Sequence, residues 1–315
     1  MSSRTYGSLL LQQADMTSRS KSKSLDFLTN VIQLTYKEKY AIILGRDPSL
    51  TARSPKLWNY VYSQLNISRV MHPFDVEAQR FSELWAHISH DQNCIGGSVA
   101  APYKEEVFKL LNGNTDQVTA QIGAVNCLYR SPDGRLFGTN TDGQGALLTI
   151  QDLLDDIQSS KILVFGLGGV GKSVAASISN VLHSKNDLLC SGRNSSTSKF
   201  CKTIHATYIA PDQLEVHLSS IDLFINCSSL GSGNYQNESP LSNRQLSLLK
   251  TGCQIFDVIY KPQKTKLLLE AERLGHQGAN GERMNIEQAV KSFAIVNDSK
   301  ESHAHLRKLM LGAIG

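Results

Sequence analysis

The chain lacks any apolar segment long enough to cross a membrane. Its 315 residues are 41% hydrophobic, but no apolar run approaches the roughly 18 residues of a membrane helix. Cysteine is scarce, and no two cysteines form a C-x-x-C pair, so the sequence favours neither a zinc site nor a disulfide framework. We expect no metal site and a cytoplasmic protein with reduced, mostly buried thiols at Cys94, Cys127, Cys190, Cys201, Cys227 and Cys253.

The chain also has only a small excess of positive over negative charge. The net charge of +4 is spread along the chain, and no basic stripe is interleaved with aromatic residues, as it is in many nucleic-acid-binding proteins. We therefore expect no nucleic-acid or membrane partner, and we expect small-molecule ligands.

Alternating strand-like and helical patterns divide most of the chain into two α/β units. Residues 37–145 contain apolar strands such as "YAIIL" between helical stretches, and "VTAQIGAVNCLYR" in this unit is expected to form one or two strands. Residues 146–276 contain five strand-length apolar runs, which are typical of a doubly wound parallel sheet. Two helical segments in residues 277–315 are expected to pack back onto the first unit.

Residues 1–36 form an extension of different composition. The segment "MTSRSKSKS" is rich in serine and basic residues, as transit peptides are. Asp15 and Asp26 interrupt this pattern, and "SLDFLTNVIQL" could pack as a helix on the body. We therefore favour a structural or unordered extension over a targeting signal.

The stretch "FGLGGVGKS" fits two phosphate-binding patterns. Gly166, Gly168 and Gly171 complete the G-x-G-x-x-G of dinucleotide sites. In such a site, glycines let the backbone approach phosphate, and the next helix offers free N–H groups.

The same stretch also completes the P-loop pattern G-x-x-x-x-G-K-S, with Lys172 and Ser173 at its end. In a P-loop enzyme these residues would contact the terminal phosphates and magnesium, and Asp257 is available as the acidic residue. The loop alone leaves both interpretations open.

The end of the next strand bears on the dinucleotide interpretation. An acid there would bind the ribose hydroxyls of NAD, whereas an arginine accepts the 2′-phosphate of NADP. Here "DLLCSGRNSS" provides Arg193, Asn194 and Ser195 and no acid. This pattern predicts NADP(H).

Blocks spread over most of the chain resemble motifs of one family. "SVAAPYK" is similar to N-V-T-x-P-x-K, "IGAVNCLYR" to I-G-A-V-N-T-x, "GTNTDGQGAL" to N-T-D-G-x-G, and "INCSSLGSG" to N-A-T-x-x-G-M. "FDVIYKPQKTKLLLEAERLG" and "GANGERMNIEQAVKSF" are similar to D-x-x-Y-x-P-x-x-T-x-L-L-x-x-A-x-x-x-G and G-x-x-M-L-x-x-Q-A-x-x-x-F. The sequence therefore resembles the shikimate dehydrogenase family, which disfavours the P-loop interpretation.

The resemblance implies an α/β fold with an N-terminal catalytic domain, a Rossmann-like NADP-binding domain and a cleft between them. It places catalytic residues at Lys104 and Asp142. A lysine beside an aspartate can hydrogen-bond the reacting oxygen and move its proton. Without the resemblance, Lys104 would be a solvated lysine at a helix start, and Asp142 a helix N-cap.

The resemblance also implies reversible reduction of 3-dehydroshikimate, or of a closely related cyclic keto acid, with NADPH. We expect a monomer or homodimer. Substrate-binding positions are Ala52, Ser54, Ser98, Ala100, Asn126, Tyr260 and Gln288. Cofactor-binding positions are Gly166, Gly168, Gly169, Val170, Gly171, Arg193, Asn194, Ser195, Val258 and Gly281.

Two substrate motifs depart from the family pattern. Ala52 replaces the first serine of S-x-S-P, and Ala100 replaces the threonine of N-V-T. A hydrogen bond to a charged group contributes about 1.5–3 kcal/mol, so shikimate recognition is expected to change; Thr51 and Arg53 are the candidates to compensate. The alternatives are a quinate-like, amino-substituted or other polyol substrate, and a regulatory NADPH-binding relative without turnover.

Overall fold

The computed structural model describes residues 22–23, 25–35, 38–193 and 196–314. Most of the serine-rich segment lies outside these residues. The prediction about a targeting signal therefore also concerns residues outside the described ranges. The described part of "SLDFLTNVIQL" is not the expected helix: it forms turns and a short strand. Leu25 and Leu34 anchor it in the apolar core of the first half, which accounts for its apolar residues.

The first half alternates strands and helices up to a helix that starts at Asp142. Its elements are β1 (Ser22–Lys23), β2 (Leu34–Thr35), β3 (Tyr40–Gly45), α1 (Pro48–Thr51), α2 (Ser54–Gln64), β4 (Val70–Asp75), α3 (Phe81–His90), β5 (Cys94–Val99), α4 (Lys104–Leu110), α5 (Gln117–Ile122), β6 (Cys127–Arg130), β7 (Leu136–Thr139) and α6 (Asp142–Ile150).

These strands build a mixed five-stranded sheet in the order β4-β3-β5-β6-β7. The first three strands are parallel, and β6 and β7 are antiparallel to their neighbours. The segment expected to form only strands begins instead with helix α5. Asp116 caps that helix by accepting a hydrogen bond from the Thr119 N–H, and Gly123 ends it at φ 69°.

The second half contains six further strands. Its elements are β8 (Ile162–Phe165), α7 (Gly169–Val181), β9 (Leu188–Ser191), α8 (Ser196–Thr203), β10 (Thr207–Ile209), α9 (Glu215–Leu218), β11 (Leu223–Asn226), α10 (Asn243–Ser247), β12 (Gln254–Asp257), α11 (Lys266–Arg273), β13 (Gly278–Ala279), α12 (Glu282–Val296) and α13 (His303–Gly312).

All six strands pair in parallel in the order β10-β9-β8-β11-β12-β13. This is the strand order of dinucleotide-binding Rossmann domains, in which ligands bind where the order reverses, beside the first strand. Here that strand is β8, and the glycine loop follows it. The five strands expected from the sequence are present, and the two-residue strand β13 adds a sixth.

The last two helices, α12 and α13, cover the first sheet. Phe293 and Leu306 belong to the same apolar core as Trp58 of α2. The domain boundary expected between residues 145 and 146 falls inside α6, which packs on both α7 and α12. Helix α6 therefore connects the two halves of the molecule.

Candidate active site

A cleft of about 480 Å³ lies between the two sheets. It brings together residues that are far apart in the sequence. Its lining contains both predicted catalytic residues, every predicted substrate-binding residue and part of the predicted cofactor set: Lys104, Asp142, Ala52, Ser54, Ser98, Ala100, Asn126, Tyr260, Gln288, Gly169, Val170, Val258 and Gly281.

Lys104 and Asp142 form an ion pair in this cleft. Lys104 Nζ lies 2.6 Å from Asp142 Oδ2, and both side chains are largely buried. Each residue is the first of a helix, and the N-cap position of α6 is taken by Thr141. The carboxylate of Asp142 is therefore directed at Lys104 and does not cap its own helix.

Asn126 fixes the other oxygen of this carboxylate. Its Nδ2 donates to Asp142 Oδ1 at 2.7 Å and to Thr141 Oγ1 at 3.0 Å, while its Oδ1 accepts from the Thr141 N–H. Asn126 lines the cleft as the resemblance implied, but its amide protons are engaged by these neighbours. In this structure it orients Asp142.

The first turn of α6 is tied to the second half of the chain. The Gly143 N–H donates to Ser173 Oγ at 2.8 Å, and that hydroxyl donates to Asn140 Oδ1 at 2.8 Å. Asn140 Oδ1 also accepts from the Asp142 N–H. Helix α7, which follows the glycine loop, is thus connected to the backbone of Asp142 through one buried hydroxyl.

The glycine loop has the space and the free donors that a phosphate needs. A Cβ on Gly171 would lie 1.8 Å from the carbonyl oxygen of Gly166, so the turn tolerates no side chain there. No atom lies within 4 Å of a Cβ built on Gly168, which precedes α7 without a side-chain cap. The first N–H groups of α7 have no acceptor within the helix, and the space beside Gly168 is open, as in pyrophosphate-binding turns.

The residues of the P-loop pattern are engaged elsewhere. Lys172 Nζ pairs with Glu105 of the first half at 3.0 Å, and the hydroxyl of Ser173 holds the start of α6. The buried Asp257 accepts hydrogen bonds from Thr265, Asn226 and the Ile259 N–H, and burial raises its pKa to about 6. This arrangement provides no triphosphate and magnesium site.

Arg193 lies at the carboxyl end of β9, beside the glycine loop. A Cβ on the preceding Gly192 would lie 3.5 Å from the Leu167 N, and Arg193 itself is exposed. Asn194 and Ser195, which complete the predicted 2′-phosphate site, lie outside the described residues.

The end of the cleft next to α2 combines apolar and cationic groups. Ala52 and Ala100 pack against the core there, and Ser54 and Ser98 are the hydroxyl-bearing residues retained from the two motifs. Arg53 also lines the cleft. The sequence offered it only as one of two compensating candidates, because its position in S-x-S-P is variable.

The cleft lining also contains residues that were not predicted, and two of them lie on α12. Asn285 contributes a buried amide oxygen that has no hydrogen-bond partner among the described residues. Met284 precedes it on α12 and lies on the same wall. The helical spacing from Gln288 was the signal that could have identified them, because residues three and four apart share a helix face.

Neither a metal cluster nor a membrane span is found among the described ranges. Within them no group of three His, Cys, Asp or Glu residues is arranged to hold a metal ion. No helix in the same ranges is both long enough and apolar enough to cross a membrane.

A Rossmann-type sheet whose glycine loop faces a lysine–aspartate pair across a cleft defines a dinucleotide-dependent oxidoreductase with a separate substrate domain. Shikimate dehydrogenase (NADP(+)) of Staphylococcus haemolyticus is 31% identical over 258 residues, which cover 82% of this chain and 91% of the relative. The chain belongs to the shikimate dehydrogenase family. This finding confirms the predicted family, fold class and oxidoreductase class.

Further comparisons agree with this assignment. The sequence-family model described as the shikimate dehydrogenase substrate binding domain matches residues 45–128 of this chain. Shikimate dehydrogenase (NADP(+)) of Clostridium botulinum is 28% identical and covers 80% of this chain and 94% of the relative. The crystal structure of shikimate dehydrogenase 1 from Peptoclostridium difficile superposes with a TM-score of 0.75 at 25% identity, covering 87% of this chain and 97% of that one.

Proposed function

We propose that this protein is an NADP(H)-dependent dehydrogenase that interconverts 3-dehydroshikimate, or a closely related cyclic keto acid, and the corresponding alcohol. The observation that carries the proposal is the Lys104–Asp142 pair, at 2.6 Å, in a cleft that also contains the glycine loop. A Cβ on Gly169 would lie 3.6 Å from Lys104 Cδ. A cofactor held by the loop would therefore lie next to the lysine.

The residues around the loop fit NADP(H). The open space above Gly168, the free N–H groups of α7 and the exposed Arg193 match a pyrophosphate and a 2′-phosphate. When bound, this cofactor supplies the hydride and the redox chemistry. Val258 and Gly281 line the cleft near it, and Gly281 must lack a side chain because a Cβ would lie 1.9 Å from the Val258 carbonyl oxygen.

The chain's own residues manage the proton. As the ketone becomes an alcohol, its oxygen gains a proton, and an ammonium at Lys104 Nζ can hydrogen-bond that oxygen and donate to it. Asp142 orients the ammonium and compensates its charge, and both side chains are largely buried. Asn126 prevents the carboxylate from rotating by holding its second oxygen.

A second candidate is a dehydrogenase of another polyol, of a quinate-like acid or of an amino-substituted analogue. The observation in its favour is that Ala52 and Ala100 line the cleft without the hydroxyls of the family motifs. A regulatory NADPH-binding protein without turnover has less support, because binding alone does not require the Lys104–Asp142 pair.

A substrate screen tests these functions. Purified protein is mixed with NADP⁺ and, separately, shikimate, quinate, aminoshikimate and a neutral cyclic polyol, and formation of NADPH is followed by absorbance. We expect the highest kcat/KM with shikimate, and no reaction with the Lys104→Met variant. A higher kcat/KM with another compound would identify that compound as the preferred substrate in place of shikimate. NADPH binding without any turnover would favour the regulatory function.

We also propose a cytoplasmic monomer or homodimer. The cytoplasmic location is supported by the six free cysteines, five of which are buried. Burial raises the pKa of Cys94 and of Cys127 to about 12, so these thiols stay protonated and unreactive. Mass measurement in solution would establish the oligomeric state.

A further inference from the structure

Arg53 lies at the end of the cleft that has lost two hydroxyls. It directly follows Ala52 and precedes Ser54, and all three residues line the cleft together with Ala100. Its side chain is only 19% exposed. A guanidinium so placed faces the volume in which the substrate must sit.

The guanidinium lies over an aromatic ring and has donors to spare. Its Cζ lies 4.6 Å from the ring centroid of Tyr260, which also lines the cleft. Stacking on an aromatic ring fixes the plane of an arginine while its N–H groups remain free at the edge. Only the Nη1 donates to another described residue, namely Glu282 Oε1 at 3.0 Å.

The bond to Glu282 can be exchanged for a bond to a ligand. The Glu282 side chain is 38% exposed, and ion pairs with such exposure contribute little net stability because water solvates the separated charges well. Among the described residues that line the cleft, the other lysine or arginine is Lys104, which is paired with the buried Asp142. Within that part of the chain, Arg53 is therefore the cation that an incoming carboxylate can engage.

An unsatisfied polar group lies one helical turn beyond Glu282. The Oδ1 of Asn285 is buried without a hydrogen-bond partner among the described residues, and the residue stands where the family motif has leucine. Rotation of the amide exchanges its donor and acceptor. Together with Arg53 it makes this end of the cleft suited to a polar, charged substituent.

We propose that Arg53 determines specificity by binding the carboxylate of the substrate, in place of the hydroxyls absent at Ala52 and Ala100, and that this carboxylate displaces Glu282 from the guanidinium. The inference rests on the proposed function, since it concerns the substrate of the same site. It commits the cleft to an anionic substrate, in contrast to a neutral polyol.

The experiment compares shikimate with its neutral methyl ester in wild type, Arg53→Gln and Glu282→Gln. For Arg53→Gln we expect the KM for shikimate to rise about tenfold or more while kcat and the KM for the ester change little. For Glu282→Gln we expect the KM for shikimate to fall about two- to threefold, because the competing carboxylate is gone. Lys56→Gln, which removes an exposed charge from α2, the helix that Arg53 precedes, should leave all constants unchanged.

Opposite results would overturn the inference. If Arg53→Gln raised both KM values equally, or if Glu282→Gln raised the KM for shikimate, the pair would only connect α2 to α12. Arg53→Lys, which retains the charge without the planar stack, should bind shikimate with intermediate affinity, and melting temperatures show whether each variant is folded.

Calorimetric titration of shikimate in the presence of NADP⁺ separates this inference from the proposed function. Wild-type turnover of shikimate tests the function. Binding to wild type and loss of binding in Arg53→Gln support the inference even without turnover, whereas equal affinities, or no binding to wild type, overturn it.

Discussion

The hydroxyl of Ser173 accepts a hydrogen bond from the Gly143 N–H at 2.8 Å, and this contact joins the half of the molecule with the glycine loop to Asp142, the proposed catalytic aspartate. Ser173 follows the glycine loop in helix α7, and Gly143 follows Asp142 in α6. The same hydroxyl donates to Asn140, whose side chain holds the Asp142 N–H. The backbone that carries Asp142 is thus positioned by the helix expected to bind the pyrophosphate.

Replacing Ser173 should therefore lower turnover. We expect Ser173→Ala to reduce the free energy of unfolding by about 1–3 kcal/mol, because the buried Gly143 N–H loses its partner. We also expect kcat to fall while the KM for substrate changes little, since Asp142 loses its alignment. The control is Asn180→Ala, at an exposed position of the same helix. A loss of stability with unchanged kcat would mean that the hydroxyl is only structural.

Removing the lysine of the proposed catalytic pair should strongly lower turnover and spare cofactor binding. For Lys104→Met we expect kcat to fall by roughly 10²–10⁴, the usual contribution of a positioned proton donor. The dissociation constant of NADPH, measured by fluorescence titration, should stay near that of wild type. Lys109→Met serves as control on the exposed side of α4. Equal losses in turnover and NADPH affinity would count against a catalytic role.

Removing Arg193 should change the choice between cofactors. The 2′-phosphate distinguishes NADPH from NADH, and a charge-assisted hydrogen bond to it corresponds to about a ten- to hundredfold difference in affinity. We therefore expect Arg193→Ala to lower the affinity for NADPH by that factor and to leave the affinity for NADH almost unchanged. The control Lys199→Ala removes an exposed charge from α8. An equal effect of Arg193→Ala on both cofactors would defeat the assignment.

The buried Asp257 should make stability depend on pH. Burial raises its folded pKa from 3.8 to about 6, so between these values the folded chain binds more protons than the unfolded chain. The free energy of unfolding then falls as pH rises through this range, by up to roughly 3 kcal/mol from this residue.

The Asp257→Asn variant isolates this effect. Its side chain does not titrate, so the stability of wild type minus that of the variant should decrease from pH 4 to pH 6. Urea unfolding at several pH values gives this difference. A difference that stays constant, or increases with pH, would show that the pKa of Asp257 is not raised.

Local patterns were sufficient for most of the second half. The runs ending at Phe165, Ser191, Asn226 and Asp257 were recognised because buried parallel strands are short and continuously apolar. The expectation failed at "VTAQ", where β-branched residues suggested a strand. The cap at Asp116 and the αL glycine at Gly123 overrode that preference.

Long-range contacts were the part that the sequence could not provide. Arg53 and Glu282 are 229 residues apart. The C-terminal helices were expected to pack on the first unit, but no local pattern indicates that these two side chains meet. The contact between Ser173 and Gly143 could not be predicted either. The G-K-S spacing indicated a phosphate site for Ser173, and no pattern indicated a contact with Gly143. Motif resemblance predicted which residues share the cleft, and only the folded chain shows which hydrogen-bonding groups are already engaged.

Helix α6 has a consequence for any attempt to divide this protein into fragments. A cut between residues 145 and 146 would leave Asp142 on a stub of one helical turn and would expose Ala146 and Ile150, which are fully buried in the intact chain. The stub would also lose the contact with Ser173. The halves have separate sheets, but they share this helix, and neither fragment would inherit the complete proposed catalytic centre.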